Sequence, residues 1–184
     1  MSDSASAILD AAERRIRKAG YNGFSFREIA ADVGVKSSSV HYHFPTKERL
    51  AAAVARRYTD RFTAAVYEDV KAGIDPAEAW HRAFKNALRD DGGMCLCGSL
   101  GASAKDLPDE VLVEVQRFFK QGLAILERSG LSHQAAAALL ASLEGAMLIA
   151  TTLRDESVFD AATLVSPAGR QAPPASAASV TTAQ

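Results

Sequence analysis

Between Leu50 and Val70 an apolar side chain returns at every fourth position: Leu50, Val54, Tyr58, Phe62, Val66 and Val70. That spacing lays the six along one stripe of a long α-helix, with Thr46 placed to cap its start. Upstream, Ile8, Ala12, Ile16 and Ala19 form a second amphipathic face that stops at Gly20. No run alternates apolar and polar residues while being rich in β-branched side chains, so strand signals are absent. The chain is predicted to be all-α.

Two short helices stand between these. After the turn Gly20–Phe24, Ser25 can cap a helix whose inward face is Phe26, Ile29, Ala30 and Val33, stopped by Gly34. Another runs from Ser37 to His43 and ends before Pro45. Two short helices joined at a sharp glycine turn have the layout of a helix-turn-helix, whose second helix enters the major groove of DNA. Its outward positions should then be small, polar or basic, as Lys36, Ser37, Ser38 and Ser39 are. Lys47, at the start of the next helix, is placed to meet the same phosphates. Residues 1–60 hold ten Lys/Arg against seven Asp/Glu, a net of +3, whereas the remainder carries −4. The N-terminal third is thus the better place for a polyanion.

The C-terminal part reads as longer helices. Asp75, Pro76 and Glu78 form a helix start, and that helix ends near Asp90–Gly93. A short segment, Met94 to Lys105, precedes an apolar stripe from Val111 to Leu126 closed by Gly130. Ser132 can cap a helix from Ala135 to about Leu153 in which polar residues are sparse. A helix apolar nearly all round must be covered on several sides, which predicts a partner subunit. A weaker helix follows over Val158–Val165, and the stretch from Ser166 has the composition of a disordered tail. No stretch reads as long and apolar enough to span a bilayer; the nearest, Ala135–Ala150, is short and carries Glu144. The N-terminus lacks an apolar signal core, which predicts a cytoplasmic protein. Cys95 and Cys97 cannot form a disulfide framework, in keeping with a reducing compartment.

The run Gly23–Leu50, "GFSFREIAADVGVKSSSVHYHFPTKERL", resembles the DNA-binding domain of the tetracycline-repressor (TetR) family of bacterial transcription regulators. Ser25, Arg27, Ile29, Ala30, Gly34, Val35, Tyr42, His43, Phe44, Lys47 and Leu50 match that family's pattern. His41 departs from it, standing where an aliphatic residue is usual, and many members carry glycine where Ser38 stands. The resemblance implies a helix-turn-helix domain over residues 1–50, an effector-binding and dimerisation bundle over 51–165, and the tail over 166–184. It implies a homodimer, paired through the last two helices, that binds a palindromic DNA operator and releases it when a small-molecule effector enters the bundle. By motif position Ser25, Arg27, Tyr42 and Lys47 correspond to phosphate contacts. Lys36, Ser37, Ser38, Ser39 and His41 fall on the stretch facing the groove.

His41 and His43 first suggest a metal, but on a helix they lie about 200° apart and cannot share an ion. No metal or other cofactor is expected. His43 is expected to pack and His41 to face outward. For the effector, candidate lining residues are Trp80, Phe84, Met94, Cys95, Cys97, Phe118, Phe119, Glu144 and Met147, each of which could instead belong to the packed core. Glu144 could recognise a ligand, pair across a dimer or sit at a solvent-facing edge. The Cys-Leu-Cys-Gly run is similar to that of TetR regulators responding to small electrophiles such as acrylate, so one thiol could be reactive; the alternative is two inert buried thiols. A helical ligand-binding protein without DNA binding, or a thiol-dependent enzyme, is the rival function.

Overall fold

Several of the helices begin at a side chain that accepts the free amides of a first helical turn. In the computed structural model, which describes residues 3–90 and 93–163, Ser25 accepts from the Glu28 amide at 3.3 Å and Thr46 from Arg49 at 3.2 Å. Asp75 accepts from Ala77 at 2.9 Å and Glu78 at 3.3 Å, and Ser132 from Ala135 at 3.2 Å. The first three of these caps start α2 (Phe26–Val33), α4 (Lys47–Lys71) and α5 (Pro76–Arg89); α1 (Asp3–Ala19) precedes them, and α3 (Ser37–His43) begins after Lys36 without a side-chain cap. They are followed by α6 (Leu96–Gly101), α7 (Asp109–Arg128), α8 (His133–Leu153) and α9 (Ser157–Thr163). Single 3-10 turns, Tyr21–Gly23 and Ala104–Asp106, join α1 to α2 and α6 to α7. The described residues contain no strand.

The predicted starts and stops are close to those observed. Gly34 closes α2 at φ 74°, a left-handed conformation that glycine adopts without the Cβ penalty, and this turn sets α3 against α2. Of the six helices after α3, four are long, while α6 and α9 have six and seven residues. α6 starts on a cap that its sequence does not advertise, the Cys95 thiol, which accepts from the Gly98 amide at 3.4 Å. The expected Val158–Val165 helix is α9; its last two positions and the tail from Ser166 lie outside the described residues.

α4 is the element both halves share. It packs on α1 at the N-terminal end and on α5 and α7 further along. One apolar core follows it, from Ile8, Ile16 and Ile29 through Val54 and Tyr58 to a cluster of rings. The Phe62 ring lies 5.5 Å from Trp80, 5.2 Å from Phe84 and 5.3 Å from Phe118, centroid to centroid. Two buried carboxylates are ion-paired: Glu13 on α1 meets Arg61 at 2.5 Å and Arg57 at 3.2 Å, both on α4. Glu114 on α7 meets Arg56 at 2.6 Å and Arg117 at 2.9 Å.

The reading of the last long helix as too short for a bilayer is corrected. α8 has 21 residues and is long and apolar enough by length and composition to cross a membrane. Its buried face, Leu140, Leu143, Ala146, Met147 and Ala150, packs instead on α5, α7 and α9. Its other side leaves Leu148, Ile149 and Leu153 at 56, 49 and 62 % exposure.

Candidate nucleic-acid interface and neighbouring cavity

α3 is anchored by one side chain. Val40 is fully buried, and around it Lys36, Ser37, Ser38, His41 and Tyr42 remain exposed, Tyr42 at 84 %. No carboxylate occurs between Val33 and Thr46, so this surface carries no negative charge of its own. The acids of the preceding helix are already engaged. Arg15 on α1 bonds Glu28 at 2.9 Å and Asp32 at 2.9 Å, which fixes α2 against α1. Arg27 points out of α2, exposed and with no ion-pair partner among the described residues.

The remaining motif residues carry structural duties as well. Ser25 caps α2 and donates its hydroxyl to Glu28 Oε2 at 2.8 Å, a reciprocal capping pair. Ser39 is half-buried, its amide bonded to the Lys36 carbonyl at 2.9 Å. Lys47 is held over two rings, Tyr21 and Phe24, with Nζ 4.7 Å from each centroid. Burial there pulls its pKa below the ordinary lysine value. His43 is half-buried with its ring edge-on to Tyr42 at 5.2 Å. His41 is exposed but not free: its ring meets Phe26 at 4.5 Å. Among the described residues no three His, Cys, Asp or Glu side chains converge as a metal site requires.

A cavity of about 870 Å³ opens where α6, α7 and α8 meet the C-terminal turn of α1. Of the nine residues marked from sequence, Met94, Phe119 and Glu144 lie on its wall. Trp80, Phe84, Cys95, Cys97, Phe118 and Met147 lie in the fully packed core instead. Met147 has a definite task there, since its sulfur accepts from the Cys95 amide at 2.8 Å. Burial pushes both thiols up, with the Glu144 charge adding to the effect, and neither is poised as a thiolate.

Sequence periodicity did not reveal the α1 side of this cavity. Arg17 is buried, donating from Nε to the Met94 carbonyl at 2.7 Å and from Nη2 to the Ala87 carbonyl. Ser99 on α6 donates to the Ile16 carbonyl at 3.0 Å. These bonds tie α1, the first helix of the N-terminal unit, directly to the cavity wall. An arginine beside an apolar stripe gives no sign in sequence that its guanidinium turns inward.

Glu144 is the chemically unusual wall residue. Both carboxylate oxygens are shielded from solvent and meet no cation among the described residues; the weakly donating Cys95 thiol is the polar group beside them. Of the three expected settings, the solvent-facing edge is therefore the one the carboxyl does not occupy. Burial raises its pKa from the ordinary 4.5 to about 7, with the Cys95 thiol opposing. The sign of the linked stability follows. Between about 4.5 and 7 the folded chain holds a proton that the unfolded chain has lost, so stability falls as pH rises through that window. The loss levels off above about 7 at roughly 3 kcal/mol. Glu144→Gln, which cannot ionise, should match the parent near pH 4.5 and melt roughly 10 °C higher at pH 8. Thermal melts of both across that range check this; parallel profiles would mean the carboxyl is not buried as described.

Comparison with known proteins places this geometry. Residues 8–54 match the model of bacterial regulatory proteins of the tetR family. A TetR-family transcriptional regulator of Agrobacterium tumefaciens is 30% identical and superposes with a TM-score of 0.79 over 87% of this chain and 93% of its own. A TetR transcriptional regulator of Legionella pneumophila is 29% identical, with a TM-score of 0.77 over 89% of this chain and 95% of its own. The HTH-type transcriptional regulator LmrA of Bacillus subtilis is 26% identical over 171 residues, 84% of this chain and 90% of LmrA.

Proposed function

This chain belongs to the TetR family of bacterial transcriptional regulators, and from that premise we propose that it is a cytoplasmic, ligand-responsive repressor acting as a homodimer. The observation that carries the reading is the α2–α3 surface. Arg27, Lys36, Ser37, Ser38 and Tyr42 stand exposed there with no unpaired carboxylate among them. Small side chains at the start of α3 let its free amides approach phosphate, while Arg27 and Lys36 supply charge. His41, packed against Phe26, presents its outer edge to the groove. Lys47, fixed between two rings, offers one pre-ordered phosphate contact.

The exposed Leu148, Ile149 and Leu153 of α8, with α9 beside them, supply the apolar surface on which a second copy pairs symmetrically. Such a dimer presents its two α3 helices to half-sites roughly 34 Å apart. The cavity is the effector site. Arg17 and Ser99 couple its wall to α1, so an effector that prefers one arrangement of that wall shifts the spacing of the two α3 helices. The burial of both thiols supports an effector held without covalent chemistry over the electrophile-sensing alternative. Family membership makes the chain a regulator and not an enzyme.

The test is binding to the DNA upstream of its own gene. A dimer neutralising about six phosphates should lose affinity with salt at a slope of about −5 in log K against log salt. No shift of that DNA at low salt refutes the repressor reading. In the same assay Cys95→Ser and Cys97→Ser should both still release the operator with effector; loss of release in either would restore the reactive-thiol reading.

A further inference from the structure

The effector's chemistry is written in the one acidic side chain on the cavity wall, Glu144. Around Glu144 the α7 and α8 walls are apolar, with Phe119, Leu123 and Leu140 among their residues. A buried carboxylate with no cation and only a thiol beside it is costly, and native proteins keep such groups only where something satisfies them. Here the fold makes room for one. A Cβ added at Gly98 would collide with Glu144 Oε2 and lie 3.0 Å from its Cδ, so the carboxyl rests where only glycine lets it. At Gly145, the next residue on α8, a Cβ would meet nothing within 4 Å, so the wall beside the carboxyl is open space.

We propose that this cavity takes an apolar cation, an amine or quaternary ammonium carried on an aryl or alkyl body, and that Glu144 recognises its charge. The inference rests on the reading of the cavity as the effector site. Inside an apolar cavity a cation at the carboxylate replaces lost hydration with a charge-assisted contact, while the hydrophobic body fills the remaining volume. A carboxylate ligand is repelled at the same point, and a neutral ligand gains only a weaker hydrogen bond.

Among the described residues no cation is paired with the Glu144 carboxylate. Arg17 from α1 lines the cavity, but its guanidinium is committed to the Met94 and Ala87 carbonyls, and Lys18 lies exposed at the mouth. On the α6 side the titratable groups are Cys95 and Cys97, both held as neutral thiols by burial. α7 contributes Phe119 and Leu123, and α5 and α9 place no charged side chain on the wall. The carboxyl, with its pKa near 7, is thus the group whose ionisation sets cation affinity in the physiological range.

The decisive experiment is calorimetric titration of the full chain with three matched probes: phenylbutylamine, phenylbutanol and phenylbutyrate. The amine should bind about 10- to 100-fold more tightly than the alcohol, and the carboxylate more weakly than either. Amine affinity should rise about tenfold per pH unit up to about 7 and then level, while the alcohol stays flat. Glu144→Gln should erase the amine preference and leave alcohol binding unchanged. Gly98→Ala, which displaces the carboxyl by another route, should do the same. Equal binding of amine and alcohol, a preference that survives Glu144→Gln, or no binding of any probe overturns the proposal. Operator release is measured separately. An amine that binds through Glu144 but releases no DNA leaves the cation site standing and sinks the effector reading. Release by some other compound, without an amine preference, does the reverse.

Discussion

A chain carrying Arg27→Ala and Lys36→Ala should bind its operator about a thousandfold more weakly than the parent at physiological salt, with unchanged melting temperature and oligomeric state. Both residues are exposed and form no ion pair among the described residues, and the Lys36 side chain makes no cap to α3, so their removal costs the fold little. In a homodimer each substitution counts twice, and four charged contacts disappear from the complex. At about 1 kcal/mol or more for each contact to a charged group, the thousandfold figure is a lower range. The salt slope should also flatten by about 3 to 4, since each phosphate contact contributes about 0.9. Unchanged slope and affinity would remove these residues from the interface. Ser25→Ala is a different experiment. It deletes the cap that accepts from Glu28 and the bond returned to it, so a loss of DNA affinity would come with a destabilised α2. Lys47→Ala mixes effects in the same way, because the ammonium also covers Tyr21 and Phe24.

Local chemistry was legible from the residues, because caps, glycine stops and four-residue spacing act within one or two turns. Thr46 and the Leu50–Val70 stripe specify α4 by themselves, and Ser25 with Gly34 brackets α2. Neighbour relations were not legible. Periodicity says that Trp80, Phe84 and Phe118 face inward, but it does not say whether they meet one another or a cavity; they meet one another. Arg17 shows the converse, a charged residue whose burial depends on two carbonyls from residues 70 and 77 positions away. The helix with Glu144 reads as an apolar element with one flaw, and the flaw makes sense only beside Gly98, 46 residues earlier. His41 likewise looked free because the ring it touches, Phe26, belongs to the preceding helix. What sequence leaves open here is pairing across helices, and both the cavity and its charge arise from such pairing.

Trp80→Ala should cost about 3–5 kcal/mol, the usual range for deleting a large buried aromatic side chain, and lower the melting temperature by roughly 10–15 °C. The indole is fully buried among Phe62, Phe84 and Phe118, and its edge reaches α7 at Gly122. A Cβ placed on Gly122 would lie 2.9 Å from Trp80 Cη2 and 3.2 Å from Leu140 Cδ1. Neither contact is easily relieved, because a ring wedged among three others cannot swing aside in a close-packed interior. Gly122→Ala alone should therefore destabilise by about 1–3 kcal/mol through overpacking, despite the helix propensity gained. In a Trp80→Ala background the obstacle is gone, and the same alanine should cost nothing or stabilise slightly. The coupling between the two positions should then exceed about 1 kcal/mol in a double-mutant cycle measured by denaturant unfolding. Additive effects would mean that the indole does not rest on Gly122, and that α5 and α7 approach by another contact. Because this contact joins α7 to Trp80 of α5 and Leu140 of α8, and none of the three residues is on α2 or α3, the Gly122→Ala protein, where folded, should bind operator with the parent's salt slope.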